Sequence, residues 1–449
     1  MDGNRMPTKV LLLPLLTVGL CGLSLQGRTQ ENAKSGDSAG AESSRVVQNG
    51  PAAQPAQPTV PAAQPASPPA PAGPAPGSVS ITGLVDIYFS LNGRSPSGVG
   101  NASFTGVTTV GSPGEFIGID NAGRAFDIND RTLSLSLGEV NIVRTPNKNI
   151  PIGITATLTL GDTARLVHAN EPGGTSGWQT LQQLYFTYTP HLLGRDVTLD
   201  FGKFTSPFGY EVIESSSNDN YTRSFGFLYG VPFYHAGVRA TIPINNKLSL
   251  LAGIVNGWNN VADDNNGKSA FGQLTWKPTA SVTAILGYMG GPEGTGAYGS
   301  GIPTNGGGSI GTDLGEFQAI WQVNNKLKVA AWSDYGHGAG TVLGNHVSGS
   351  WVEMSGYARY QVTPSIAIAA RVEQFEDIPG VTGANLHFGS PYTKLNEATF
   401  TIEYMALRGH LVSRLEYRHD HCNLPFFGTA RGTGVSDQDT FTLGEVYKF

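Results

Sequence analysis

Cysteine is almost absent from these 449 residues: the chain has two, Cys21 and Cys422. Cys21 falls in an N-terminal apolar stretch read below as a removable leader, which leaves one thiol and excludes an internal disulfide. Charge is scarce as well, at 14% of residues and a formal net charge of −6. No lysine/arginine-rich run occurs, so nothing draws the chain to nucleic acid. Past residue 25 there is no run of about 18 apolar residues, which excludes a transmembrane helix. Any membrane the mature chain occupies must be crossed by strands.

The N-terminus, "MDGNRMPTKVLLLPLLTVGLCGLSLQGRTQ", places Arg5 and Lys9 before the apolar stretch 10–25. Small and polar residues follow, so residues 1–27 are expected to be a secretory signal peptide. The run is short and carries Pro14, which argues against a retained anchor. Leu20 stands where a lipoprotein signal needs a small residue before Cys21, which argues against lipidation. Residues 28–77 are rich in Pro, Ala and Gln, and "PAAQPA" occurs at 51–56 and again at 61–66. Such a segment cannot bury a core and is expected to be a disordered, extended tether.

From Ser78 the composition changes. In "SVSITGLVDIYFSLN", Val79, Ile81, Val85, Ile87, Phe89 and Leu91 alternate with Ser80, Thr82, Asp86, Tyr88, Ser90 and Asn92. A period of two over this length is a strand with one apolar and one polar face. The pattern recurs to the C-terminus, clearly at 152–162, 248–258, 282–291, 351–362, 398–406 and 411–420.

Connections alternate too. Short turns fall at 145–150, 189–196, 243–247, 277–281, 323–326, 362–365 and 407–410. Longer Gly/Asn/Ser-rich connections fall at about 93–126, 161–179, 204–236, 257–268, 289–312, 336–350, 376–396 and 420–437. Seven turns and eight loops join about 16 strands, as in a transmembrane antiparallel up-and-down β-barrel. A soluble sandwich also alternates, but its charges face outward and its long loops are not confined to one edge. Narrow apolar bands match a lipid belt of about 25 Å, and closure leaves no unpaired edge in hydrocarbon. Residues 78–449 are therefore expected to be an all-β outer-membrane barrel whose outer face meets lipid. Residues 124–143 leave open how one strand pairs.

"GLVDIYFSLN", "FGKFTSPFGYEVIESSSNDNYTRSF", "VPFYHAGVRATIP" and "SRLEYRHDHCNLPFF" resemble the OmpL-like β-barrel porin-2 family. The resemblance covers most of 78–449 and is most specific over 202–239. It implies an outer-membrane pore and supplies no solute. The last residues, "DTFTLGEVYKF", put Phe449, Tyr447, Leu443 and Phe441 on one face and resemble the signal read by barrel-assembly machinery. Glu445 departs from that pattern.

Lipid-facing Arg or Lys near the bilayer midplane costs about 2–4 kcal/mol, so Arg359, Arg371, Arg414 and Arg418 are expected to face the lumen. Glu353, Glu373, Glu403 and Glu416 share their faces. Opposed acidic and basic rows filter solutes by size, charge and dipole, and the same pairs can brace the wall. The connection 204–236 is long enough to fold inward as a constriction. It carries Glu211, Glu214 and Asp219 against Arg223, with His235 able to add charge at low pH. Catalysis by Glu211 and Glu214, or by Ser215–Ser217 with His235, lacks the environment contrast or strained turn it would need. In "HDHC", His419 and His421 share one face and only two ligands converge, so no metal site is expected, and no cofactor motif occurs. The expectation is a passive channel for small hydrophilic solutes or ions, not an enzyme. The alternatives are a solute-specific, for example anion-selective, pore and a barrel-borne surface enzyme or adhesin. Association of three barrels stays open.

Overall fold

The computed structural model describes residues 77–96, 120–168, 180–192, 194–263, 265–294, 309–342, 345–380, 392–431 and 433–449. The expected signal peptide and nearly all of the expected tether lie outside the described residues. Sixteen antiparallel strands close into one barrel. In chain order they are β1 (Val79–Asn92), β2 (Leu133–Arg144), β3 (Ile152–Leu160), β4 (Leu181–Tyr188) and β5 (Thr198–Thr205). Next come β6 (Tyr234–Asn245), β7 (Leu248–Val255), β8 (Ser269–Thr279), β9 (Val282–Gly294) and β10 (Ser309–Gln322). The last six are β11 (Leu327–Val342), β12 (Asn345–Thr363), β13 (Ile366–Pro379), β14 (Thr393–Ala406), β15 (Leu411–Cys422) and β16 (Asp437–Lys448). Each pairs with its neighbours in sequence, and β16 returns to β1 in a ladder from Leu84↔Lys448 to Asn92↔Thr440. Phe449 extends the seam by exchanging backbone hydrogen bonds with Gly83 at 3.0 and 3.1 Å.

Side-chain alternation decides which face meets lipid. On β1, Val79, Ile81, Val85 and Leu91 are exposed outside, while Asp86, Tyr88, Ser90 and Asn92 are buried inside. Exposed apolar residues such as Leu286 and Val372 form the outer belt. Tyr188, Trp276, Trp321, Tyr360, Tyr404 and Tyr447 ring it toward the short turns. Tyr288, Tyr335, Tyr417 and Phe441 stand farther up their strands. Amphipathic rings at both borders of an apolar band are what an outer-membrane barrel presents to headgroups.

Two expectations change. Most of the long connection expected at 336–350 is strand instead. β11 and β12 run to 16 and 19 residues, and their ladder extends from Leu327↔Tyr360 to Val342↔Asn345. Gly336 leaves room for the Trp351 indole on its cross-strand neighbour, so a glycine that reads as a loop signal is a packing device here. The open pairing at 124–143 resolves into β2 plus an inward segment, 120–131, whose Asn121, Arg124, Phe126 and Asp127 are all buried. Glu445 does not break the last strand's register: it lies on the outer face and accepts a hydrogen bond from the Ser413 hydroxyl at 2.6 Å.

Candidate functional site

Residues 206–233, between β5 and β6, cross the inside of the barrel. Pro207 and Gly209, whose φ is +94°, turn the chain off the wall. A 3-10 turn at Ser215–Ser217 and a π-helical turn at Gly226–Gly230 keep it compact. Most of its residues are buried, and although some of its polar groups pair within the loop, as Ser224 does with Glu211 at 2.7 and 2.8 Å, more of them reach outward. They pair with the inner wall.

Three arginines hold the loop from one side. Arg414 donates to the carbonyls of Ser215, Asn218 and Asn220 at 2.6, 2.7 and 3.0 Å, and pairs with Glu403 at 2.6 Å. Arg371 reaches Glu211 and the Thr222 carbonyl, each at 2.6 Å, and pairs with Glu397 at 2.6 Å. Arg418 donates to the Arg223 carbonyl at 2.5 Å and pairs with Asp420 at 2.6 Å. Acids hold its N–H groups. Glu416 accepts from the Tyr221 and Thr222 backbones at 2.6 and 3.0 Å, and Glu373 from Phe225 and Gly226 at 2.8 and 2.5 Å. These charge-assisted bonds are the strong kind, and they replace water that the loop displaces.

The tip contacts the opposite seam. Asp86 on β1 accepts from the Ser215 and Tyr221 hydroxyls at 2.5 and 2.7 Å. Gly444 on β16 leaves the space that the Tyr221 ring fills. Asp219 accepts from Lys328 at 2.7 Å and from Tyr210 at 2.8 Å, with Arg359 at 4.0 Å. Burial first, and the facing carboxylates second, push the Tyr210 and Tyr221 phenols well above their ordinary range, so both are donors. The segment 120–131 packs beside the loop: Arg124 bridges Asp127 and Asp420 at 2.7 and 2.6 Å, and the Arg223 guanidinium lies 4.4 Å over Phe126.

Beneath the loop a cavity of about 880 Å³ opens toward the short turns. Glu211, Glu214, Asp219, Arg359, Glu403 and Arg414 line it. Glu353, Arg371, Glu373, Glu416 and Arg418 also point inward, but they sit at the wall–loop contact, buried. Arg223 is buried as well and donates to the Ile213 and Tyr221 carbonyls. His235 is packed into the wall: its Nδ1 lies 2.9 Å from the Gly257 carbonyl, its Nε2 3.2 Å from the Ser206 hydroxyl, and Phe271 stacks on its ring. It is an anchor for the loop's root and not a charge facing the cavity, because no face of the ring meets solvent. His419 and His421 lie outside the barrel and pair with Asp439 and Asp437 at 2.9 and 2.7 Å.

Glu139, Lys328, Arg408 and Lys448 line the cavity too and were missed. Alternation alone places Lys328 and Lys448 inward. Glu139 lay in the stretch whose pairing was open, and Arg408 is in a turn, where parity says nothing. A second missed feature is an acidic group on the β10–β13 wall, Glu316, Asp334, Glu353 and Glu373, all buried. No salt bridge among the described residues reaches it.

The sequence model of the family described as "Putative beta-barrel porin-2, OmpL-like" matches residues 78–449. No curated protein matches the chain by sequence. Among solved structures, the fold is similar to a loop L8 deletion mutant of OmpT, an outer membrane protein of Vibrio cholerae. That match has a TM-score of 0.51 at 11% identity and covers 83% of this chain and 99% of that one. The trimer form of in-vitro folded OmpT gives 0.51 at 13% identity, covering 84% and 100%. An anion-selective porin from Comamonas acidovorans gives 0.50 at 8% identity, covering 83% and 99%. At these identities the likeness is one of fold.

Proposed function

The chain belongs to the OmpL-like β-barrel porin-2 family, and from that premise we propose that the loop 206–233 sets what passes through it. The protein is an outer-membrane porin, a channel for passive diffusion. The observation that carries the finer reading is the loop's course across the lumen, with Glu211, Glu214 and Asp219 on the rim of the cavity. A charged narrowing of this kind passes small hydrophilic solutes and ions and sorts them by size and charge.

Selectivity follows from which charges remain unpaired. Glu211, Asp219 and Glu403 are matched by Arg371, Lys328, Arg359 and Arg414. Glu139 and Glu214 are left at the loop, and Arg408 and Lys448 stand at the turn side. Where these two carboxylates stand free of a bound cation, the loop level is mildly cation-favouring. The anion-selective alternative needs a free arginine ladder, and Arg371, Arg414 and Arg418 are committed to loop carbonyls and carboxylates. Glu211 is committed to Arg371 and Ser224 and so is not free to act with Glu214 as an acid–base pair, which supports a channel without catalysis.

Outward on neighbouring strands, Ala319, Ala331 and Gly356 stand in one register row. Two alanines and a glycine make a flat strip against which copies could associate as a trimer. Chemical cross-linking of purified protein would show three-fold bands if they do.

Single-channel recording in planar bilayers tests the main reading. Heat-modifiable protein should give discrete conductance steps, and a KCl gradient should give a small reversal potential of the cation-selective sign. Folded protein that never conducts would sink the pore reading. An anion-selective reversal potential would leave the pore and remove the loop's assigned role.

A further inference from the structure

Arg371, Arg414 and Arg418 are matched by acids at the wall–loop contact, whereas Glu139 and Glu214, like the acidic group on β10–β13, have no such match. Glu139 on β2 and Glu214 at the loop tip bring their carboxyl groups together. Among the described residues no salt bridge involves either. Glu139 is 6% exposed, and one of its oxygens, Oε2, has no hydrogen-bond partner among the described residues. Its other oxygen accepts from the Asn141 amide, which itself accepts from the Thr157 hydroxyl at 2.5 Å.

Two further oxygens at this place are independent of the carboxyl pair. Thr159 on β3 stands directly across from Glu139 in the ladder, is 1% exposed, and its hydroxyl has no partner among the described residues. Gln182 on β4 is 1% exposed and donates from Nε2 to Glu214 at 2.8 Å, while its Oε1 has no partner among the described residues. Three neighbouring strands thus each present a buried oxygen that no donor among the described residues satisfies, around two carboxyl groups in contact. A buried oxygen left without a donor is costly, and facing carboxylates add repulsion. A bound cation removes both penalties at once.

The donor set selects the cation. It is all oxygen: two carboxylates, an amide carbonyl and a hydroxyl, with no nitrogen or sulfur ligand, so zinc-class ions are disfavoured. Two carboxylate charges match a divalent ion. The mixed, irregular arrangement suits calcium, which tolerates variable geometry, more than magnesium, which demands a near-ideal octahedron. Glu139 and Glu214 both line the cavity, which supplies the entry path and room for water ligands. We propose that Glu139, Thr159, Gln182 and Glu214 form a binding site for a calcium-class divalent cation that ties the loop tip to the β2–β4 wall. Asn141, bonded between Glu139 and Thr157, is a positioning residue for the first carboxylate.

Calorimetric titration of the full-length barrel in detergent with calcium chloride, after removal of divalent ions with a chelator, tests the site. The expected result is one calcium per barrel, with magnesium bound more weakly. Glu139→Gln and Glu214→Gln should each weaken calcium binding by roughly tenfold or more. Thr159→Val should weaken it less. Heat-modifiability on gels shows which variants fold, and Glu214, half-buried on a loop, is the variant safest for the barrel. A wild-type barrel that binds no calcium and whose unfolding temperature ignores it would overturn the proposal. So would calcium binding unchanged in both glutamine variants. If the carboxyl pair instead shares a proton, stability will follow pH and ignore calcium, which equally overturns it. Conductance is not the readout, so failure of the pore reading and failure of this site are distinguishable.

Discussion

Glu353 and Glu397 sit two strands apart on the same inner wall with opposite surroundings. Glu397 lies between Arg371 and Arg418 at 2.6 and 3.5 Å. Glu353 is fully buried, faces Glu373, and neither of its carboxyl oxygens meets a donor among the described residues. Removing one member of a buried ion network leaves its partners' charge uncompensated, at about 3–5 kcal/mol. Glu397→Gln should therefore lower barrel stability by about that much. Glu353→Gln keeps the shape and removes a carboxyl that nothing satisfies, so stability should hold or rise. Urea unfolding of both variants side by side checks the contrast, and equal losses would contradict it.

At the scale of the element, the loop 206–233 is held mainly by side chains of strands remote in sequence. Arg414 alone makes three hydrogen bonds to its carbonyls. At about 1.5 kcal/mol for each charge-assisted bond, its loss removes about 4–5 kcal/mol of seating. Arg414→Ala should free the loop from the wall and raise single-channel conductance, while circular dichroism still reports an intact barrel. Unchanged conductance in a folded variant would mean the loop is not what narrows the pore. Gly226 makes the same point sterically: an added Cβ would lie 2.5 Å from the Glu353 carboxyl carbon. Gly226→Val should displace the loop in the same direction.

At the scale of the whole molecule, the barrel is turned inside out relative to a soluble protein: apolar outside, charged within. Leu286 is 61% exposed on the outer belt, so Leu286→Arg should cost about 2–4 kcal/mol in lipid vesicles and much less in a loop position. Phe449 belongs to this scale as well, since it closes β16 against β1 and displays its ring outside. Phe449→Ala should reduce the heat-modifiable, membrane-inserted fraction of protein expressed in cells, with a smaller effect on barrels refolded in detergent. Equal effects in both settings would assign Phe449 to the seam alone.

Strand number, turn side, and the inward direction of Arg359, Arg371, Arg414 and Arg418 follow from the sequence by itself, because alternation is local and lipid tolerates no charge at mid-depth. Local composition misled at 336–350, where glycines serve cross-strand packing rather than a loop. The partners of the inward residues were beyond reach, since Arg414 meets Ser215 and Glu416 meets Tyr221 across about 200 positions of chain. Only closure of the barrel, which carries the loop between β5 and β6 across to β1 and β15, decides those pairings. It also brings Glu139 and Glu214 together with no salt-bridge partner among the described residues, because the two lie on elements that meet only once the lumen is enclosed.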